Sequence, residues 1–179
     1  MARLHCATGV EKLLIPPFVF FFNLLYPPPL VNRGRLAAAA GGCVLLRRGA
    51  ADFAALRGAV IDDVSLAREV RRGGGRLRLE NSRGDVRSLR EHGGLAPIWH
   101  MVTRTAFTQL RRSWLLLALT LLGLLVAVLP PVSLLLIAAY LPTVRAYRLN
   151  PLWALTRPLA TLLYGAMTLD SALRPRREW

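Results

Sequence analysis

The chain has 179 residues, 54% of them hydrophobic, and its mean hydropathy of +0.38 excludes an ordinary soluble composition and points to membrane segments. Twenty-four lysine and arginine residues against ten acidic ones give a net charge of +14, which suits nucleic acid, anionic lipid headgroups or a diphosphate substrate. Cys6 and Cys43 match no redox or zinc spacing, and His5, His92 and His100 form no ligand pattern, so no metal site made by this chain alone is expected.

The first apolar run, Leu13 to Asn32, carries prolines at 16, 17, 27, 28 and 29. They leave about ten residues for unbroken helix, half of what a membrane span needs. Residues 1–31 therefore read as an interfacial segment, with Phe18, Phe20, Phe21, Phe22 and Tyr26 anchoring at headgroup depth and Arg3 and Lys12 on the cytoplasmic side. The run contains Pro16 and Pro17 and has no small-residue cleavage site, so it does not read as a signal peptide.

Residues 32–113 read as the soluble part, with sixteen arginines and seven acids for a local charge of +9. Gly42–Leu46 is predicted as a short strand after a glycine turn, Ala50–Leu56 as one or two turns of helix, and Arg76–Glu80 and Val86–Leu89 as further strands. So few strands leave an unpaired sheet edge, a physical reason to expect a partner. Val60, Ile61, Val64, Ala67 and Val70 recur at helical spacing, with Arg68, Arg71 and Arg72 in the last turn and Gly73 to Gly75 as the stop. Asp62 is then the N-cap and Asp63 the first helical residue. The pair has two readings: a cap that complements the helix dipole, or a carboxylate available as a general base. The basic run Arg71 to Leu79 has no aromatic interleaving or base-reading motif, so nucleic acid is not among the expected partners.

From Trp99 to Ser113 the pattern is amphipathic, with Ile98, Val102, Ala106 and Leu110 on one face. No charge follows between Arg112 and Arg145, a gap of thirty-two residues. Pro130-Pro131 divides this stretch, and the ten residues from Val132 to Leu141 favour one kinked helix from Trp114 to Leu141 over a hairpin. Leu152 to Leu169 is a second candidate span, with Arg157-Pro158 in its middle and Asp170 too far along the helix to pair with Arg157. The tail arginines 174, 176 and 177, together with Arg111 and Arg112, place both ends on the cytoplasmic side, so two crossings are expected in an anchor of residues 114–179.

Several of these stretches share a pattern: AAAAGGCVLLRR, then IDDVSLAREVRRGG about fifteen residues on, then FTQLRRSW before the apolar run. LLIPPFVFFFNLLYP near the start and YRLNPLWALTRPLATLLYGAMTLDSAL near the end extend it over almost the whole chain. Together they resemble the C-terminal half of the membrane-bound family 2 glycosyltransferases, nearest the hopene-associated type. The resemblance implies the second half of a GT-A type α/β fold followed by transmembrane helices in a bacterial inner membrane, mostly helical overall. It implies an inverting transfer from a nucleotide-sugar donor to a membrane lipid acceptor, in hopanoid biosynthesis, with Asp63 as the base beside Asp62. Gly41 and Gly42 would lie near donor and acceptor. The family's Gln-x-x-Arg-Trp motif is matched in part by Gln109 and Arg112, with Arg111 adjacent and Trp114 displaced one position by Ser113. A divalent metal, Mg or Mn, serves the complete enzyme, but its Asp-x-Asp ligand motif does not occur in the 179 residues. The donor-binding half would then come from a missing N-terminal half or a partner chain. The alternative is a non-catalytic, truncated membrane protein.

Overall fold

The computed structural model describes residues 1–40, 42–56, 62–82 and 84–174. The described residues are mostly helical: α1 Gly9–Leu25, α2 Pro28–Asn32, α3 Asp62–Arg72, α4 Leu95–Gln109, α5 Trp114–Val126, α6 Pro130–Ala146 and α7 Arg157–Leu173, with 3-10 turns at Ala54–Leu56 and Pro151–Thr156. They form two compact units. One comprises Met1–Leu4 and Phe21–Arg90, the other His5–Phe20 and Glu91–Trp179.

In the first unit α3 buries Val64, Ala67 and Val70, the stripe its spacing predicts, while Val60 and Ile61 lie outside the described residues. Its end falls where the glycines were expected to stop it, and the Gly75 amide closes back onto the Val70 carbonyl at 2.9 Å. A side chain at Gly75 would meet Val70 Cγ1 at 2.6 Å. A small core gathers Val31, Ala38, Ala40 and Leu79, with Met1, Phe22, Tyr26, Leu36 and Leu77 against it.

The expected α/β layering is not found: no strand occurs among the described residues. The segments 76–80 and 86–89 form no strand and bond to scattered partners. The Leu79 amide donates to Asn32 Oδ1 at 2.7 Å while Asn32 Nδ2 donates to the Leu79 carbonyl at 3.2 Å, so one side-chain amide stands in for a neighbouring strand. The terminal ammonium of Met1 donates to the Glu80 carbonyl, and a single parallel bridge joins Arg3 to Arg87. A strand needs a ladder of partners to satisfy its backbone, and alternation in sequence does not supply one. Likewise Gly42–Leu46 forms no strand, and Ala50–Leu56 contains only the 3-10 turn, begun by Asp52 Oδ1 accepting from the Ala54 amide at 2.8 Å.

The second unit is helical throughout its described residues outside loops. Pro16 and Pro17 do not interrupt α1, which runs through both of them. Each proline deprives a carbonyl one turn back of its donor, but both rings are buried, and the Tyr164 hydroxyl donates to the adjacent Leu14 carbonyl at 2.8 Å. α4 lies along α7. Trp99 Nε1 donates to Asp170 Oδ2 at 2.8 Å, the Ser171 hydroxyl to the Thr103 carbonyl, and the Phe107 amide to Ser171 Oγ at 3.0 Å. Phe107, Leu117 and Ala172 close the core beneath.

The uncharged stretch is not one kinked helix. α5 and α6 meet at 89°, with Pro130 and Pro131 opening α6, and α6 continues through Pro142 to Ala146. No single described helix is long and apolar enough to cross a membrane, so neither expected crossing is present as a single helix; α5 and α6 satisfy length and composition only as a bent pair. Residues 152–169 are likewise divided, between the 3-10 turn Pro151–Thr156 and α7, with Arg157 at the junction instead of mid-helix.

Candidate functional site

The residues singled out by the sequence fall into different units. Asp62 and Asp63 open α3 in the first. Helix begins at Asp62, one residue ahead of expectation, and Asp63 Oδ1 accepts from the Val64 amide at 2.7 Å. Asp63 is half-buried and has further interactions. The bond from Val64 gives one amide of the first helical turn an acceptor. Gly41 lies outside the described residues. Gly42 adopts φ +92°, a left-handed conformation that glycine tolerates, and its missing Cβ faces open space. That is turn geometry.

Gln109, Arg111, Arg112 and Trp114 lie together in the second unit, at the junction of α4 and α5. α4 ends in a Schellman turn: the Arg112 amide donates to the Phe107 carbonyl and the Arg111 amide to the Thr108 carbonyl, each at 2.9 Å. Arg111 and Arg112 have φ of 53° and 55°. The far end of the bent pair repeats this. Leu149 donates to the Val144 carbonyl at 3.2 Å, Arg148 to the Arg145 carbonyl at 2.9 Å, and Arg148 has φ 55°. The position after a helix cap is usually glycine, and an L-residue there costs about 1 kcal/mol or more. All three non-glycine residues with positive φ among those described are arginines, and they bracket the uncharged stretch. Arg111, Arg112, Arg145 and Arg148 are exposed.

Between the brackets the outward faces are apolar. Trp114 is 61% exposed, Leu122 57% and Leu135 73%, and the exposure continues through Leu152, Leu155, Leu159 and Leu162. Contiguous apolar exposure on this scale marks a surface made to be covered.

Arg157 serves the carbonyl at the bend. It is 1% exposed, its guanidinium carbon stands 5.7 Å from the centroid of the Phe20 ring, and Nη1 donates to the Ala127 carbonyl at 3.4 Å. In a straight helix that carbonyl would accept from residue 131, but Pro131 has no N–H. Arg157 supplies the donor the proline lacks, where an unsatisfied carbonyl in apolar surroundings costs several kcal/mol. Tyr140 packs edge-on against the same Phe20 ring, with centroids 5.3 Å apart.

A second polar cluster stands at the start of α1, ahead of the first stretch shared with the resembling family. Thr8 Oγ1 accepts from the Glu11 amide at 3.2 Å and Glu11 Oε2 accepts from the Thr8 amide at 3.0 Å, a reciprocal capping box. Oε2 also accepts from the Ala7 amide at 2.9 Å and Oε1 from the His92 amide at 3.0 Å. Glu11 is 1% exposed, with His5 Nε2 at 3.9 Å and His92 Nδ1 at 3.8 Å. Burial pushes its pKa up, but the three backbone donors and the Thr8 hydroxyl outweigh that and hold it at about 2. The Thr8-x-x-Glu11 spacing ahead of an apolar run is the signal that could have found it.

Among the described residues no group of three or more His, Cys, Asp or Glu side chains could hold a metal ion, so the divalent metal of the resembling family finds no fitting donor set here. No protein-family model, no curated protein and no solved structure matches the chain.

Proposed function

We propose that this chain is the membrane-contacting, acceptor-side part of an inverting glycosyltransferase that moves a sugar from a nucleotide-sugar donor to a membrane lipid. The observation that carries the membrane part is the apolar bent pair α5–α6, uncharged from Ser113 to Val144 and bracketed by exposed arginines. The enzymatic part is supported by motif order, with Asp62-Asp63 at a helix start and Gln109-x-x-Arg112 next to the apolar arms. In this reading the α/β transferase fold is completed outside the described residues. Asp63 takes the proton from the acceptor hydroxyl, the oxygen attacks the anomeric carbon, and the nucleoside diphosphate departs. Gln109, Arg111 and Arg112 hold phosphate groups at the bilayer surface, where an arginine fork suits them, and Trp114 sits at headgroup depth. The acceptor, by the resemblance, is a hopanoid in a bacterial inner membrane.

Membranes carrying the full natural gene product would be given tritiated nucleotide sugars with magnesium or manganese. Label entering the lipid fraction, and lost in Asp63→Asn at unchanged membrane level, is the expected result. Label unaffected by the substitution removes Asp63 from the mechanism. A second reading, a non-catalytic membrane protein, is favoured by the absence of any Asp-x-Asp among the 179 residues and predicts no label at all.

A further inference from the structure

We infer that α5 and α6 form a wedge that dips into one leaflet of an anionic bilayer and returns to the same surface, pinned at both rims by the left-handed arginines. The inference rests on the membrane-contact part of the proposal above and is independent of sugar transfer.

Arm length sets the depth. α5 has 13 residues and α6 has 17, so the arms are about 20 and 26 Å long, each short of a hydrocarbon core about 30 Å thick. They meet at 89°. Were one arm upright, the other would lie flat at depth, and either Arg111 and Arg112 or Arg145 and Arg148 would be drawn into hydrocarbon, at high cost. With both arms tilted by about 45°, both rims reach the surface and the apex lies about 14 to 18 Å below it, close to the thickness of one leaflet. The apex, Ala127 to Pro131, carries no charge, and Leu129, Pro130 and Pro131 are exposed. Its one carbonyl robbed of a donor by Pro131 is served from within by Arg157. Trp114 and Tyr147 stand at the two rims, at the depth where such rings settle.

Charge identifies the occupant. Arg111, Arg112 and Arg148 keep positions that glycine would fill with less strain. Side-chain charge is what glycine lacks, and four exposed arginines at two rims on one side fit a layer of anionic headgroups. A second copy of this chain would bring the same positive rims and repel.

Two measurements test this. In a background lacking Cys6 and Cys43, single cysteines at Thr108→Cys and Leu149→Cys are reacted with an impermeant maleimide after protein is added to sealed phosphatidylcholine vesicles containing phosphatidylglycerol. Both are expected to react without detergent. Protection of either one until detergent is added would mean that the pair crosses, and would overturn the wedge. In flotation, Arg112→Gly and Arg148→Gly are each expected to weaken binding to these vesicles about fivefold, and together about 25-fold, while raising the thermal midpoint in detergent. A raised midpoint with unchanged binding would reduce the arginines to strained helix ends and overturn the pinning. If the wild type floats with neither anionic nor neutral vesicles and sediments as a dimer, the membrane contact itself fails, and with it the wedge.

Discussion

Two of the chain's Pro-Pro pairs in apolar helical stretches, Pro16-Pro17 and Pro130-Pro131, behave oppositely. At Pro16-Pro17 the helix continues; at Pro130-Pro131 it ends and restarts at 89°. Apolar character does not separate the two sites: Leu14, Ile15, Phe18 and Val19 flank the first pair, and Val128, Leu129 and Val132 the second. Burial does. The first pair is enclosed, and its helix starts from a capping box built on a buried carboxylate. Pro130 and Pro131 are exposed, and occupy the first positions of a new helix, where the missing N–H groups break no bond within α6 itself. A proline pair states which bonds are lost, and the surroundings decide whether the chain bends.

The largest expected effect tests the donor to the bend. Arg157→Ala removes the partner of the Ala127 carbonyl and opens a cavity beside Phe20 and Tyr140, and should lower stability by about 3–5 kcal/mol in thermal unfolding in detergent. Pro131→Ala returns an N–H one turn beyond Ala127. In that background Arg157→Ala should cost about 1 kcal/mol less, and strict additivity in the double-mutant cycle would break the account of the bend.

The capped helix is tested next. Glu11→Gln should cost about 2–3 kcal/mol, since three backbone donors lose a charged acceptor. Its pH signature has a definite sign. The folded pKa is about 2, against an ordinary 4.5, so this contribution is complete above about pH 4.5 and is lost as pH falls towards 2. The wild type should therefore show an acid-side loss of stability that Glu11→Gln lacks; parallel pH profiles would sink the assignment.

The smallest effect lies away from both proline pairs. At Gly34 the backbone has φ +81° and a Cβ would stand 2.7 Å from Arg71 Nη2. Gly34→Ala should cost about 1–2 kcal/mol by denaturant titration. A neutral result would show that the Arg71 side chain swings away freely.

Legibility in the sequence follows the range of the forces. The extent of α3 and its glycine stop depend on neighbours within one turn and were readable to within a residue. The capping box at Thr8 and Glu11 is equally local, and only its burial and its bond to His92 needed the fold. What could not be read was non-local. The segments 76–80 and 86–89 read as strands, yet their backbone partners are Asn32 and residues 1–3, far away in the chain. Arg157 reads as an intruder in a span, because its partner lies 30 positions earlier. Of the site residues, Gln109 to Trp114 stand together because they adjoin in sequence, while Asp63 belongs to a different compact unit.

The bond from Arg157 to Ala127 has a consequence for the order of events during synthesis. The ribosome delivers Ala127 and both prolines first, and the guanidinium that completes the bend follows 30 residues later, at least a second or two at ordinary elongation rates. Through that interval the nascent arms carry a carbonyl with no internal donor. A chain stalled before position 157 would hold the arms without their latch, and its protease sensitivity there should vanish once α7 has been made.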